Sequence, residues 1–278
     1  MRCVDAKQVS LLQTNQGLVP VPINRDAHKG LHYPQIMDRV KISDIFIDNL
    51  EWDRIANVVE KFIGSQKAQQ IITANSLMVN SVKRDPELKG AFYNASLVLA
   101  DSIGIVRAAE FLGYGKLTRI PGIELMLKFC QLAAYRGYSI YLLGSRESIL
   151  NKAGENLREK FPGLRIMGMH HGYFTEGEQD RILKEIKNLK PHFLFVGIGT
   201  PRGEKWIYQN LEELNIPVCM GIGGSLDVIS GRLRRAPRWL CQRGFEWTYR
   251  LFQEPWRIVR LPGLLCFVWK VIKQKLRR

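Results

Sequence analysis

Short apolar runs that stop abruptly in small polar residues alternate along this chain with stretches in which apolar residues recur every three or four positions. The first pattern is that of strands buried on both faces of a parallel sheet, the second that of helices packed on it by one side. Strands are predicted at 45–47, 71–73, 97–100, 139–143, 164–167, 193–196 and 217–220. The spacing of Leu50, Ile55, Val58, Val59 and Phe62 predicts a helix over 50–63, with Gly64 as its C-cap. Further helices are predicted at 103–111, 124–135, 147–161 and 176–189, and from the turn at 197–204 to 214. A shorter helix follows residue 75, and another opens at Pro86, a position where proline is tolerated. Pro162-Gly163 closes one helix and Thr175 is placed to cap the next.

This alternation predicts an α/β fold, a Rossmann-like parallel sheet with helices on both faces. Ligands of such sheets bind outside the carboxyl ends of the strands. Thr73, Asn75 and Asp101 stand at those ends. Residues 1–40 are polar, carry Pro20, Pro22 and Pro34 and show no sustained period, which reads as a poorly ordered N-terminal arm. Residues 41–230 form the α/β domain. At Gly231 the alternation stops, and 231–278 reads as a basic, aromatic, helical C-terminal appendage.

Charge sharpens that boundary. Of the 41 Lys and Arg, thirteen lie in 231–278 against two acids, Glu246 and Glu254. The appendage thus holds +11 of the net +15, and one end of the molecule is expected to meet an anionic surface. The five cysteines are odd in number and scattered, which predicts buried or free thiols in a reducing compartment. The N-terminus lacks the pattern of a signal peptide. The longest apolar run, 264–272, contains Lys270 and is about half of the ~20 residues that a spanning helix needs. A soluble or peripheral protein is expected.

Two glycine-rich turns carry candidate chemistry. Gly197-Ile198-Gly199-Thr200-Pro201 and Gly221-Ile222-Gly223-Gly224-Ser225-Leu226-Asp227 each leave a strand and enter a helix, where backbone N–H groups attract phosphate. Neither fits the dinucleotide fingerprint, since Arg202 stands where its last glycine would be, and the Walker pattern is absent. Tight turns need glycine for geometry alone, but two at adjacent strands favour a phosphate-bearing ligand, a nucleotide above all. Asp101 before a helix reads either as an N-cap or as a general base facing a substrate hydroxyl. Thr73 and Asn75 have the same ordinary reading as caps. His170 and His171, adjacent on a strand, are expected to point to opposite faces. No group of residues has metal-ligand spacing, and no Asp-x-Asp pair is present, so arginine is expected to carry any phosphate.

In the appendage, Arg250, Arg257 and Arg260 are interleaved with Trp247, Leu251 and Trp256. Basic plus aromatic suits single-stranded nucleic acid, and an amphipathic basic helix suits a membrane surface. Leu264, Leu265, Phe267, Val268, Val271 and Ile272 make an apolar face broader than an RNA contact requires. Membrane is therefore favoured over nucleic acid, with some of the aromatics expected to pack onto the sheet domain.

Together with Arg119-Ile120-Pro121-Gly122, Arg235-Ala236-Pro237 and Glu246-Trp247-Thr248-Tyr249-Arg250, these motifs resemble the WecG/TagA/CpsF glycosyltransferases over about 42–262. The resemblance implies transfer of a sugar, often N-acetylmannosamine, from a UDP donor to an undecaprenyl-diphosphate-linked sugar. It implies inversion, no essential metal or other cofactor, and action at the inner membrane face in surface-polymer synthesis. By motif, Asp101 matches the general base and Thr73, Asn75 and Arg119 match pocket residues. Arg250 matches an appendage arginine that steadies the leaving diphosphate, with Arg257 and Arg260 beside it. Gly197, Gly199, Thr200, Pro201, Gly223, Gly224 and Asp227 would line the nucleotide cradle. Gly203 departs from the glutamine usual in the family, and Leu226 from an aromatic. The competing hypothesis is a non-catalytic basic adaptor binding membrane or nucleic acid through 231–278. The sequence leaves the oligomeric state open, a homo-oligomer included.

Overall fold

A computed structural model describes residues 10–14, 17–21, 39–65, 67–237, 240 and 246–277. Within the stretch expected to be a disordered arm, β1 (Ser10–Thr14) and β2 (Gly17–Val21) pair antiparallel, and most of its remainder lies outside the described residues. A second hairpin, β3 (Arg39–Ile42) and β4 (Ile45–Asp48), follows. The strand expected near Ile45 is thus half of an antiparallel pair and not a member of the parallel sheet.

That sheet has six strands, all parallel: β5 (Gln70–Ala74), β6 (Leu97–Ala100), β7 (Ser139–Gly144), β8 (Arg165–His170), β9 (Phe193–Gly197) and β10 (Val218–Gly221). Their order across the sheet is β6-β5-β10-β9-β7-β8. Side chains alternate between the faces, as period-2 geometry requires. Leu97, Leu99, Phe193 and Phe195 enter one core with α1 (Ile55–Ser65), α5 (Gly122–Arg136) and α6 (Glu147–Lys160). Val98 and Ala100 face α2 (Ser76–Ser81), α3 (Pro86–Asn94) and α4 (Ile103–Phe111) on the other side, while Leu194 and Val196 face α7 (Glu176–Leu189) and α8 (Arg202–Leu214). Each fully buried Phe or Leu contributes about 1.5–3 kcal/mol. Burial on both faces is why these strands read as unbroken apolar runs.

Edge strand β6 is covered by β4. Buried Asp48 accepts the Val98 N–H at 2.8 Å and is held by Arg39 at 2.7 Å, which pairs an edge donor otherwise open to another chain. Thr175 and Glu178 form the capping box that starts α7. Cys130 and Cys219 are buried and burial pushes the Cys130 thiol up to about 12, so neither serves as a nucleophile. Cys3 and Cys241 lie outside the described residues.

After α9 (Ser225–Ile229) the chain forms α10 (Glu246–Gln253), a 3-10 turn (Pro255–Arg260) and α11 (Leu261–Leu276). The broad apolar face expected on this last helix is split in two. Phe267 and Val271 enter the core beside α2 and α4, and Lys270 and Gln274 hydrogen-bond the carbonyls of Asn80 and Lys41. Leu265 (71% exposed), Val268, Trp269 (59%) and Ile272 point outward, with Lys273 over the Trp269 ring at 4.8 Å.

Candidate active site

The carboxyl ends of β5, β6, β9 and β10 open into one cavity of about 700 Å³. Asp101 stands on its wall just after β6. Of the two readings open for it, the cap of α4 does not hold: the residue before that helix is Ser102, which makes no side-chain cap bond. The Asp101 carboxylate instead accepts the Gly122 N–H at 2.9 Å, in the first turn of α5, 21 residues further on. Its own N–H donates to Ala74 O at 2.9 Å, so strand geometry and a helix terminus together fix where the carboxylate points. Arg119 lies beside it, donating through Nε to Asp101 O at 2.8 Å, and its backbone is pinned by a bridge to Ala100 and by the Trp52 indole at 3.2 Å. The cluster therefore holds a carboxylate and a guanidinium side by side on fixed backbone.

Gly122 is required here by close approach. A Cβ at this position would stand 2.8 Å from Thr73 Oγ1, so absence of a side chain lets the start of α5 reach both Thr73 and Asp101. Asn75 has the capping role open to it, accepting the N–H groups of Leu77 and Met78 at 3.1 and 3.0 Å, and it lines the cavity as well.

The two glycine turns meet at the ends of β9 and β10, Gly223 against the Thr200 hydroxyl. Gly197, Gly199, Thr200, Pro201, Gly223, Gly224 and Asp227 all line the cavity. The N-terminus of α8, a helix of 13 residues, is directed at the same space, where its dipole favours negative charge. Asp227 is paired with Arg232 at 2.7 Å. Gly203 is buried and does not line the cavity: a Cβ there would lie 3.2 Å from Val196 O.

The chain beyond Gly231 supplies the roof. Arg257, paired with Glu254 at 2.6 Å, and Arg260 line the cavity with Trp247. Gln253 exchanges hydrogen bonds with the backbone of Arg234 inside the appendage, and Arg235 pairs with Glu124 on α5, tying the appendage to the domain. Arg250 lies in α10, with its side chain outside the described residues. His170 and His171 are not opposed as expected. β8 ends at His170, the two rings lie 4.5 Å apart, and neither lines the cavity. Among the described residues no cluster of His, Cys, Asp or Glu could hold a metal ion.

Three lining residues escape the motif reading. Tyr173, 70% exposed, presents its ring at the rim, and Ser145 lines the cavity after β7. Glu204, 2% exposed, lies on the floor. Burial pushes its carboxyl up to about 7, with the charge of Asp101 adding to the shift. The signal was available: Glu204, Ile207, Leu211 and Leu214 share one helical face, which places an acid on an inward stripe.

Comparison with known proteins gives concordant results. The model of the glycosyl transferase WecG/TagA/CpsF family matches residues 40–278. Proteins of Staphylococcus aureus strains MW2, NCTC 8325 / PS 47 and MRSA252 are each 32% identical over 239 residues, covering 85% of this chain and 93% of theirs. All three are named N-acetylglucosaminyldiphosphoundecaprenol N-acetyl-beta-D-mannosaminyltransferase.

Proposed function

The chain belongs to the WecG/TagA/CpsF glycosyltransferase family, and from that premise we propose that it moves an N-acetylmannosaminyl or related hexosyl group from a UDP donor to a sugar carried on undecaprenyl diphosphate. The observation that carries this reading is the convergence of a carboxylate, arginines and two glycine turns on one cavity at the strand ends.

In this reading the glycine turns and the α8 N-terminus cradle the diphosphate, and the Tyr173 ring offers a stacking face to the base. Asp101 takes the proton from the acceptor hydroxyl as its oxygen attacks the anomeric carbon. The bond from that carbon to UDP breaks on the far side, which inverts the configuration. Arg119, with Arg250, Arg257 and Arg260 from the appendage, neutralises the charge that gathers on the departing diphosphate. The arginines thereby supply positive charge without calling on a metal.

No helix among the described residues is long and apolar enough to cross a membrane. We infer that the outer face of α11, with Leu265, Val268, Trp269 and Ile272 flanked by Lys273 and Lys275, rests on an anionic bilayer at the inner membrane face and brings the cavity to its lipid-borne acceptor. The test is to titrate a panel of UDP-sugars and then supply N-acetylglucosaminyl-diphospho-lipid as acceptor. Saturable binding of one UDP-sugar, followed by transfer with inverted anomeric configuration, is expected. A folded protein that binds none of the panel and transfers nothing would overturn the reading.

A further inference from the structure

Glu204 has no part in the mechanism above, yet it is buried in the cavity lining. It sits in the first turn of α8, 2% exposed, with its side chain on the cavity floor and Oε2 without a hydrogen-bond partner among the described residues. A Cβ on Gly221, at the end of β10, would stand 2.7 Å from Glu204 Oε1, so the strand is bare where the carboxyl lies. The backbone of Glu204 is held from below, its carbonyl accepting the buried Gln70 amide at 2.8 Å. With no cation paired to it among the described residues, an acid buried this deeply is costly as an anion and acceptable as a neutral acid, which is a hydrogen-bond donor.

We propose that Glu204 is a ligand-binding donor: its neutral carboxyl gives a hydrogen bond to an oxygen of the nucleotide-sugar diphosphate on the cavity floor. The inference rests on the nucleotide-sugar reading. An anionic oxygen at that point keeps the proton on Glu204, so binding and protonation favour each other.

The surrounding groups leave few other sources for such a titration. Asp101 lines the same cavity, and its negative charge also favours the neutral acid. Lys205 turns away to Asp85 and Glu87 beside α3, α7 presents Gln179 to Trp206, β5 presents Gln70, and β9 presents Val196. Arg119, Arg257 and Arg260 line the walls. Among the described residues no histidine lines the cavity.

The sign follows from the free protein, where burial places the Glu204 carboxyl at about 7. Below that pH it already carries its proton and affinity is level. Above it, binding must take up a proton and affinity falls ~tenfold per pH unit, until the pH passes the value in the complex. The experiment measures the Kd of UDP-N-acetylmannosamine, whose esterified phosphates do not titrate here, from pH 6 to pH 9. Wild type, Glu204→Gln and Glu204→Ala are compared, with calorimetry in two buffers to count protons taken up. Wild type is expected to weaken ~tenfold per unit above pH 7 with proton uptake. Glu204→Gln, a permanent donor of the same shape, is expected to bind with a level profile and no uptake. Glu204→Ala should bind at least tenfold more weakly than wild type at pH 6. A level wild-type profile, or a slope unchanged in Glu204→Gln, overturns this proposal alone. Absence of binding by folded wild type at every pH overturns it together with the reading on which it rests.

Discussion

The strand-end wall and the outer face of α11 are both polar-apolar surfaces of one molecule, but they are held in different ways. On the wall, Asp101 is bound through its N–H, its carbonyl and its carboxylate, and Arg119 through its backbone and side chain. On α11, one face is fixed in the core by Phe267 and Val271, while Leu265, Val268 and Trp269 stand in solvent. Fixed groups suit chemistry, because a preorganised site does not spend binding energy on ordering itself. Exposed apolar groups with lysines beside them suit a surface that is itself fluid. Substitutions on the wall should therefore change the reaction with any acceptor, and substitutions on the outer face should change only how the acceptor is reached.

The largest effect expected is from Asp101→Asn. It keeps the Gly122 N–H bond but removes the proposed base, and should lower the transfer rate by about 10²–10⁴-fold with an unchanged melting curve. Undiminished turnover would remove Asp101 from the mechanism and erase the distinction between the two regions.

Next in size is a stability effect on the cavity floor. The Glu204 carboxyl is raised from 4.5 to about 7 by burial, then by Asp101. A raised acid binds its proton more tightly in the folded state, so stability is full below about pH 4.5 and falls as the pH rises through 7. The difference corresponds to about 3 kcal/mol. Denaturant unfolding should find Glu204→Gln close to wild type at pH 4 and more stable by up to about 3 kcal/mol at pH 8. Equal stability at both pH values would mean that the acid ionises without penalty.

Gly122→Ala sharpens the claim that the wall is close-packed. Its Cβ would meet Thr73 Oγ1, and a loss of about 1–3 kcal/mol is expected. Adding Thr73→Ala should restore part of that loss, read as coupling in a double-mutant cycle. The smallest effect belongs to the outer face of α11: Lys273→Gln should weaken partitioning onto anionic vesicles by about fivefold, near 1 kcal/mol, and less in high salt.

Much of the fold was legible because strands covered on both faces leave continuous apolar runs, as in 193–196. The β3–β4 hairpin was not legible, since its role depends on Asp48 reaching Val98 on another strand, a pairing without local trace. Asp101 was legible as a residue at a strand end, but its position before a helix suggested a cap. Only the tertiary path of the chain brings Gly122 to it. On α11 the composition identified an apolar helix without dividing its inner face from its outer one. That division is set by the neighbours of Phe267 and Val271 on α2 and α4. Glu204 could have been found from its helical face, though motif spacing gave no reason to look there.

The most direct test crosses the two regions against two acceptors, N-acetylglucosaminyl diphosphate on a long polyprenyl chain in vesicles and on a short, water-soluble chain. Transfer from UDP-N-acetylmannosamine is measured for Asp101→Asn and for the joint Leu265→Asp, Trp269→Asp variant. Asp101→Asn is predicted to lose transfer to both acceptors, and the joint variant to lose the vesicle-borne acceptor while keeping the soluble one. A folded joint variant that loses both equally, or an Asp101→Asn protein that keeps either, would contradict the account.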